Sequence, residues 1–149
     1  MACNIAIAGA GQAGLQLALG LLSKGYKITL VTDRDADSFL HGPIMSNQAM
    51  FNEALQYERE LGIDHWEQIA PQNTSVTFPI AIPKTTEIGI RWQGLVEKPF
   101  QSIDQRIKFS HWIHLFEKQG GNLQIEKASD ETLAIIKEHE AQEKAVMFT

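Results

Sequence analysis

Residues 4–33, NIAIAGAGQAGLQLALGLLSKGYKITLVTD, constrain the fold more than any other part of the chain. Asn4 to Ala8 form a short apolar run without polar alternation, the pattern of a strand buried on both faces. After Gly14 the period changes. Leu15, Ala18, Leu19 and Leu22 fall at i, i+3, i+4 and i+7, which is one stripe of a helix. Lys24 suits the negative end of that helix and Gly25 its left-handed cap. Lys27 to Thr32, KITLVT, then reads as a second, β-branched strand. Strand, tight turn, helix and strand in so few residues make a βαβ unit, which predicts a parallel sheet.

The turn between the first strand and the helix has a chemical meaning. Gly9, Ala10, Gly11, Gln12, Ala13 and Gly14 reproduce G-x-G-x-x-G in the context it requires. Gly9 makes the tight turn, Gly11 lets a pyrophosphate approach the backbone, and Gly14 lets the helix pack closely on the strand. The N–H groups and the positive dipole end of the helix face the anion. Asp33, at the end of the second strand, stands where a carboxylate binds an adenosine ribose. This acid favours an unphosphorylated ribose, hence NAD or FAD over NADP. Arg34 beside it leaves a 2′-phosphate open.

Beyond this unit, the loop SFLHGPIMSN leads to a helix expected over about Asn47 to Leu61, closed by Gly62. Val76, Phe78, Ile80 and Ile82 alternate along the chain, as do Ile88, Ile90 and Trp92, with PKTTE between. This predicts an antiparallel hairpin over about 74–96 with one face buried, and Pro79 and Pro83 place it at an edge. A helix from Ile103 to Gln119 follows, with Phe109, Trp112, Ile113 and Phe116 as its apolar stripe and GG as its stop. LQIE reads as a short strand. The segment from Ser129 to about Lys144 reads as a charged helix capped by Ser129 or Asp130, and AVMFT begins like another strand. A plain nicotinamide domain continues with more short βαβ units. The long helix and inserted hairpin favour FAD. The expected fold is thus α/β: a Rossmann-like FAD-binding βαβ with an inserted antiparallel hairpin.

With 149 residues, the chain has the size of one domain with a substantial core. A net charge of −5 without a Lys/Arg cluster argues against nucleic acid as a partner. Cys3, the single cysteine, cannot form an internal disulfide, which fits a reducing compartment. No segment reaches the ~20 apolar residues of a membrane span, and a cytoplasmic location is expected. His111 and His114 share a helix face, but two ligands do not make a metal site. No nucleophile elbow accompanies Ser46 or Ser110, so no catalytic residue is assigned.

GAGQAGLQLALGL with ITLVTDR, SNQAMFNEALQYERELGIDHWE, and QSIDQRIKFSHWIHLFEKQGGNL together resemble the oxygenase component of styrene and indole monooxygenases, a branch of the FAD-dependent hydroxylases. The resemblance covers roughly residues 4–125. It rests most specifically on VTDR combined with DQR heading an aromatic helix before GG. It implies non-covalent FAD, reduced by a separate flavin reductase, and epoxidation of a small aromatic alkene with O₂. Carried onto this sequence, it gives the pyrophosphate to the glycine turn and the ribose to Asp33 or its neighbour Thr32. Arg106 of DQR would meet the phosphates or ribityl chain, which a bidentate guanidinium suits. Asp104 reads as a helix cap rather than an acid catalyst.

Members of that family are far longer. They continue into a further strand, a substrate-binding β-domain and a second flavin motif. The whole of 1–149 therefore reads as an amino-terminal FAD-binding domain, incomplete relative to the full flavoprotein fold and not expected to turn over alone. A parallel sheet without its later strands exposes an edge, which a homodimer or a complementary chain would cover. The alternative reading is a non-catalytic dinucleotide-binding module acting with a partner. A small NAD-dependent reductase fits less well, because the hairpin intervenes and no catalytic acid or base is evident.

Overall fold

The computed structural model describes residues 4–46, 49–127, 129 and 144–148, the last of these as backbone only. It divides into two compact units, one of residues 1–47 and 104–149 and the other of residues 48–103.

In the first unit, β1 (Asn4–Ala8), β2 (Lys27–Thr32), β5 (Asn122–Ile125) and β6 (Lys144–Phe148) form a parallel sheet in the order β5-β2-β1-β6. β1 pairs with β2 from Asn4↔Lys27 to Ala8↔Val31 and with β6 from Asn4↔Lys144 to Ala8↔Phe148. A strand buried on both faces is apolar throughout, and Ile5 to Ala8 are all buried. Helix α1 (Gln12–Ser23) buries Leu15, Ala18 and Leu19 and packs against β1 and β2. Helix α4 (Gln105–Lys118) buries Phe109, Trp112, Ile113 and Phe116 and packs against α1, β5 and the short helix α2 (Ala36–His41). Each fully buried side chain of this size contributes about 1.5–3 kcal/mol from burial alone.

Two of the glycines in this unit are dictated by geometry. Gly9 has φ 108°, a conformation that side chains other than glycine rarely adopt. Gly121 follows α4, and a Cβ there would land inside the Phe116 ring, which is fully buried and cannot move aside.

Helix α2 lies in what the sequence reading left as loop. Six residues are too few to show a helical stripe. Asp35 nevertheless caps the helix, its carboxylate accepting from Ser38 N–H at 2.8 Å, and Phe39 anchors it in the core. The expected helix Ile103–Gln119 starts later because Asp104 is non-helical (φ −59°, ψ 116°) and acts as the cap, its carboxylate accepting from Arg106 N–H at 2.9 Å.

The second unit holds helix α3 (Asn52–Leu61) and an antiparallel pair, β3 (Asn73–Ala81) and β4 (Ile88–Phe100). The helix expected from Asn47 begins only at Asn52. Met50 cannot join it, because its N–H donates to the Gln101 carbonyl at 2.7 Å and its own carbonyl accepts from Gln101 N–H at 3.1 Å. The Gln101 amide in turn donates to the carbonyls of Glu67 at 2.9 Å and Ala70 at 3.0 Å. Arg59 clamps Glu67 through two nitrogens, at 2.6 to 2.9 Å. That contact holds the Glu67 carboxyl below its ordinary range.

The hairpin is present and longer than expected, but its predicted burial is not. Phe78 pairs with Trp92 and Ile80 with Ile90, so these four share one face. All four are more than half exposed. Alternation fixed which residues share a face and left open what covers it. The expected charged helix after Ser129 lies largely outside the described residues.

Candidate functional site

The first turn of α1 starts where β1 ends. β1 stands between β2 on one side and β6 on the other, so chain order reverses at its carboxyl end, the place where open parallel sheets hold ligands. Gly9 N–H donates to the Val31 carbonyl at 2.8 Å, which ties the turn to β2 and aims the chain into α1. The helix's own hydrogen-bond ladder begins only with Leu15 N–H to the Gly11 carbonyl at 3.0 Å. The helix has no side-chain cap and no acid in its first turn, and its positive dipole end lies at Gly11.

A cleft of about 340 Å³ opens at this end of the sheet, lined by Gly9, Ala10, Gly11, Thr32, Asp33 and Arg34. Six of the ten residues singled out from the sequence therefore meet in one place. Gln12, Ala13 and Gly14 form the first turn of α1 behind them, and Gly14 is buried. At Gly11 an added Cβ would meet no atom within 4 Å. The backbone there is extended, at φ −83°. Neither the protein's packing nor the backbone conformation therefore demands glycine at this position.

Thr32 is buried and its Oγ1 accepts from Arg34 N–H at 3.4 Å. Asp33 projects outward, 61% exposed, and takes an ion pair from Arg34 Nε at 3.4 Å. The Arg34 guanidinium lies over the Phe39 ring, 4.3 Å from its centroid, and its Nη2 reaches Met45 Sδ at 3.1 Å.

Arg106 does not line the cleft. It stands at the start of α4, where its guanidinium grips Asp104 at 2.6 to 3.1 Å. This contact holds the Asp104 carboxyl below its usual range and raises Arg106 further.

Val31, Phe39, Met45 and Lys127 complete the cleft and were not singled out from the sequence. Lys127 arrives because Glu126 N–H donates to the Thr32 carbonyl at 2.7 Å, extending the β5–β2 ladder by one bond. The signal for it was a lysine just past a short strand, which carries meaning only once that strand is known to pair with β2. Among the described residues, no group of three or more His, Cys, Asp or Glu is placed to hold a metal. No described helix is long and apolar enough to cross a membrane.

The architecture is an α/β parallel sheet with a glycine turn at its reversal point and an inserted antiparallel pair. No protein-family model matches the sequence, and a search of curated proteins gives no match. Solved structures do share the fold. The flavin-dependent brominase Bmp2 superposes with a TM-score of 0.63 at 14% identity, over 87% of this chain and 31% of that one. The flavin-dependent halogenase CmlS gives 0.63 at 14% identity, over 83% of this chain and 22% of its own. Aklavinone-11 hydroxylase, solved with FAD and aklavinone, gives 0.57 at 16% identity, over 82% and 25%. At these identities the likeness establishes the fold. The chain spans less than a third of the length of each of these enzymes.

Proposed function

We propose that this chain is the FAD-binding portion of a flavin-dependent monooxygenase. The observation that carries the reading is the open space over Gly11 at the mouth of the cleft, a cradle that a Cβ would fill. Gly9, Gly11 and the first turn of α1 would hold the pyrophosphate against the helix N–H groups. Asp33, exposed at the end of β2, would accept from ribose hydroxyls, and Lys127 adds a cation beside them. When bound and reduced, FAD supplies the activation of O₂ for transfer of one oxygen atom to an organic substrate. The chain's own part is to bind and orient that cofactor.

The finer reading is an oxygenase component like those of styrene and indole monooxygenases, with a small apolar aromatic substrate and a separate flavin reductase. The VTDR and DQR segments support it. In that reading Arg106 exchanges its grip on Asp104 for the phosphates or ribityl chain of the cofactor. Because the chain spans under a third of its structural neighbours, oxidation of the substrate is not assigned to these residues alone. A homodimer or a complementary chain on the open sheet edges belongs to the same proposal.

Titration of the purified chain with FAD, followed by flavin fluorescence, tests the reading, with NADH in parallel. Saturable FAD binding in the micromolar range with weaker NADH binding is the expected result. NADH binding without FAD binding would replace the flavin reading with a nicotinamide one. Binding of neither would leave only the fold in common.

A further inference from the structure

The arrangement around Arg34 goes beyond a phosphate cradle. A guanidinium is planar, and its broad faces and its donor-bearing edge recognise different groups. Here two of the three nitrogens along that edge are engaged. Nε meets Asp33 at 3.4 Å and Nη2 meets Met45 Sδ at 3.1 Å. One broad face is backed by Phe39 at 4.3 Å. Phe39 is itself fixed in the core, edge-on to the buried Phe109 at 5.9 Å. Arg34 is thus held by contacts to Asp33, Met45 and the core-anchored Phe39. The side chain still lines the cleft and stays 32% exposed.

Two kinds of group could meet a cation in this position. A 2′-phosphate would need the donor edge, and it would bring a dianion beside the Asp33 carboxylate, which repels it. A flat heteroaromatic base needs only a broad face, which guanidinium groups stack against readily. We propose that Arg34 is a specificity-determining residue: backed by Phe39, it is a platform on which the adenine of an adenosine diphosphate group without a 2′-phosphate stacks. The assignment rests on the cofactor reading above, and it names how the far end of that cofactor is chosen.

Calorimetric titration of the whole chain with ADP and with its 2′-phosphorylated form, 2′-phospho-ADP, tests the proposal in wild type, Arg34→Ala and Arg34→Lys, with melting temperatures as a control for folding. ADP should bind at least about tenfold more tightly than the 2′-phosphorylated probe. Arg34→Ala should weaken ADP by about tenfold, the scale of a partly desolvated cation–π contact. Arg34→Lys keeps the charge and loses the plane, so it should recover little of that loss. Tighter binding of the 2′-phosphorylated probe overturns the platform, as does full rescue by lysine or an unchanged ADP affinity in Arg34→Ala. Failure of wild type to bind ADP overturns it as well. The two readings separate cleanly under an FAD titration of the same proteins. If wild type binds ADP through Arg34 but not FAD, the flavin reading falls and the platform stands. If FAD binds equally in all three, the platform falls and the flavin reading stands.

Discussion

Trp112 and Trp92 set the two units of this chain against each other. Trp112, on α4 of the sheet unit, is 0% exposed, whereas Trp92, on β4 of the hairpin unit, is 56% exposed. Both sit in clear hydrophobic patterns, one helical and one alternating. In the sheet unit the pattern and the burial agree, because β1, β2, α1 and α4 each bury the stripe their sequence displays. In the hairpin the pattern is equally strong, yet its apolar face of Phe78, Ile80, Ile90 and Trp92 remains open. Periodicity tells which residues share a face. Burial needs a second surface, which local sequence does not encode.

The comparison can be broken most sharply at the two tryptophans. Trp112→Ala should cost about 3–5 kcal/mol in urea unfolding, and Trp92→Ala less than about 1 kcal/mol. Equal costs would mean that the hairpin face is covered in solution, and sedimentation would then show by what. Gly121→Ala should cost about 1–3 kcal/mol, because the added methyl meets the immobile Phe116 ring. A neutral result there would mean that the end of α4 is looser than its packing shows.

Smaller effects sharpen the contrast within the hairpin unit, where polar contacts substitute for a large core. Glu67→Gln should cost about 1 kcal/mol by loosening the Arg59 clamp, and Glu67→Asp should recover part of it. The smallest effect concerns pH. Asp35, Glu67 and Asp104 all have carboxyls held below their ordinary values of 3.8 for Asp and 4.5 for Glu, mainly by hydrogen bonds from Ser38, Arg59 and Arg106. Their folded state therefore favours the ionised form. The stability they add is full above those ordinary values and is lost as pH falls through the lowered ones. The urea midpoint should stay level with respect to these groups from pH 7 to about 5 and drop below about pH 4. A midpoint that rises on acidification would contradict the assignment.

Much of the sheet unit was legible because its signals are local. Four successive apolar residues, a glycine turn, a 3.6-residue stripe and a β-branched run suffice for β1, α1 and β2. Helix α2 was missed because six residues carry no period, although Asp35 three positions before Ser38 is a cap that can be recognised. The start of α3 was misplaced because the bridge from Met50 to Gln101 joins residues 51 positions apart. The same holds at the cleft. The glycine turn and Asp33 were visible as a motif, and Arg34 as their neighbour. Phe39, Met45 and Lys127 reach the site through α2, a loop and the β5–β2 pairing, and no local motif marks these three residues as lining it.

The central claim is that Gly11 is glycine for a ligand and not for the fold. Gly11→Val tests it most directly, with FAD affinity and melting temperature measured on the same preparation. The extended backbone and the open space around the position predict a melting temperature within a few degrees of wild type, the scale of a lost helix N-cap glycine. FAD affinity should fall by at least about tenfold, since the side chain would occupy the path of the pyrophosphate. A valine variant that folds and binds FAD as wild type does would contradict the account.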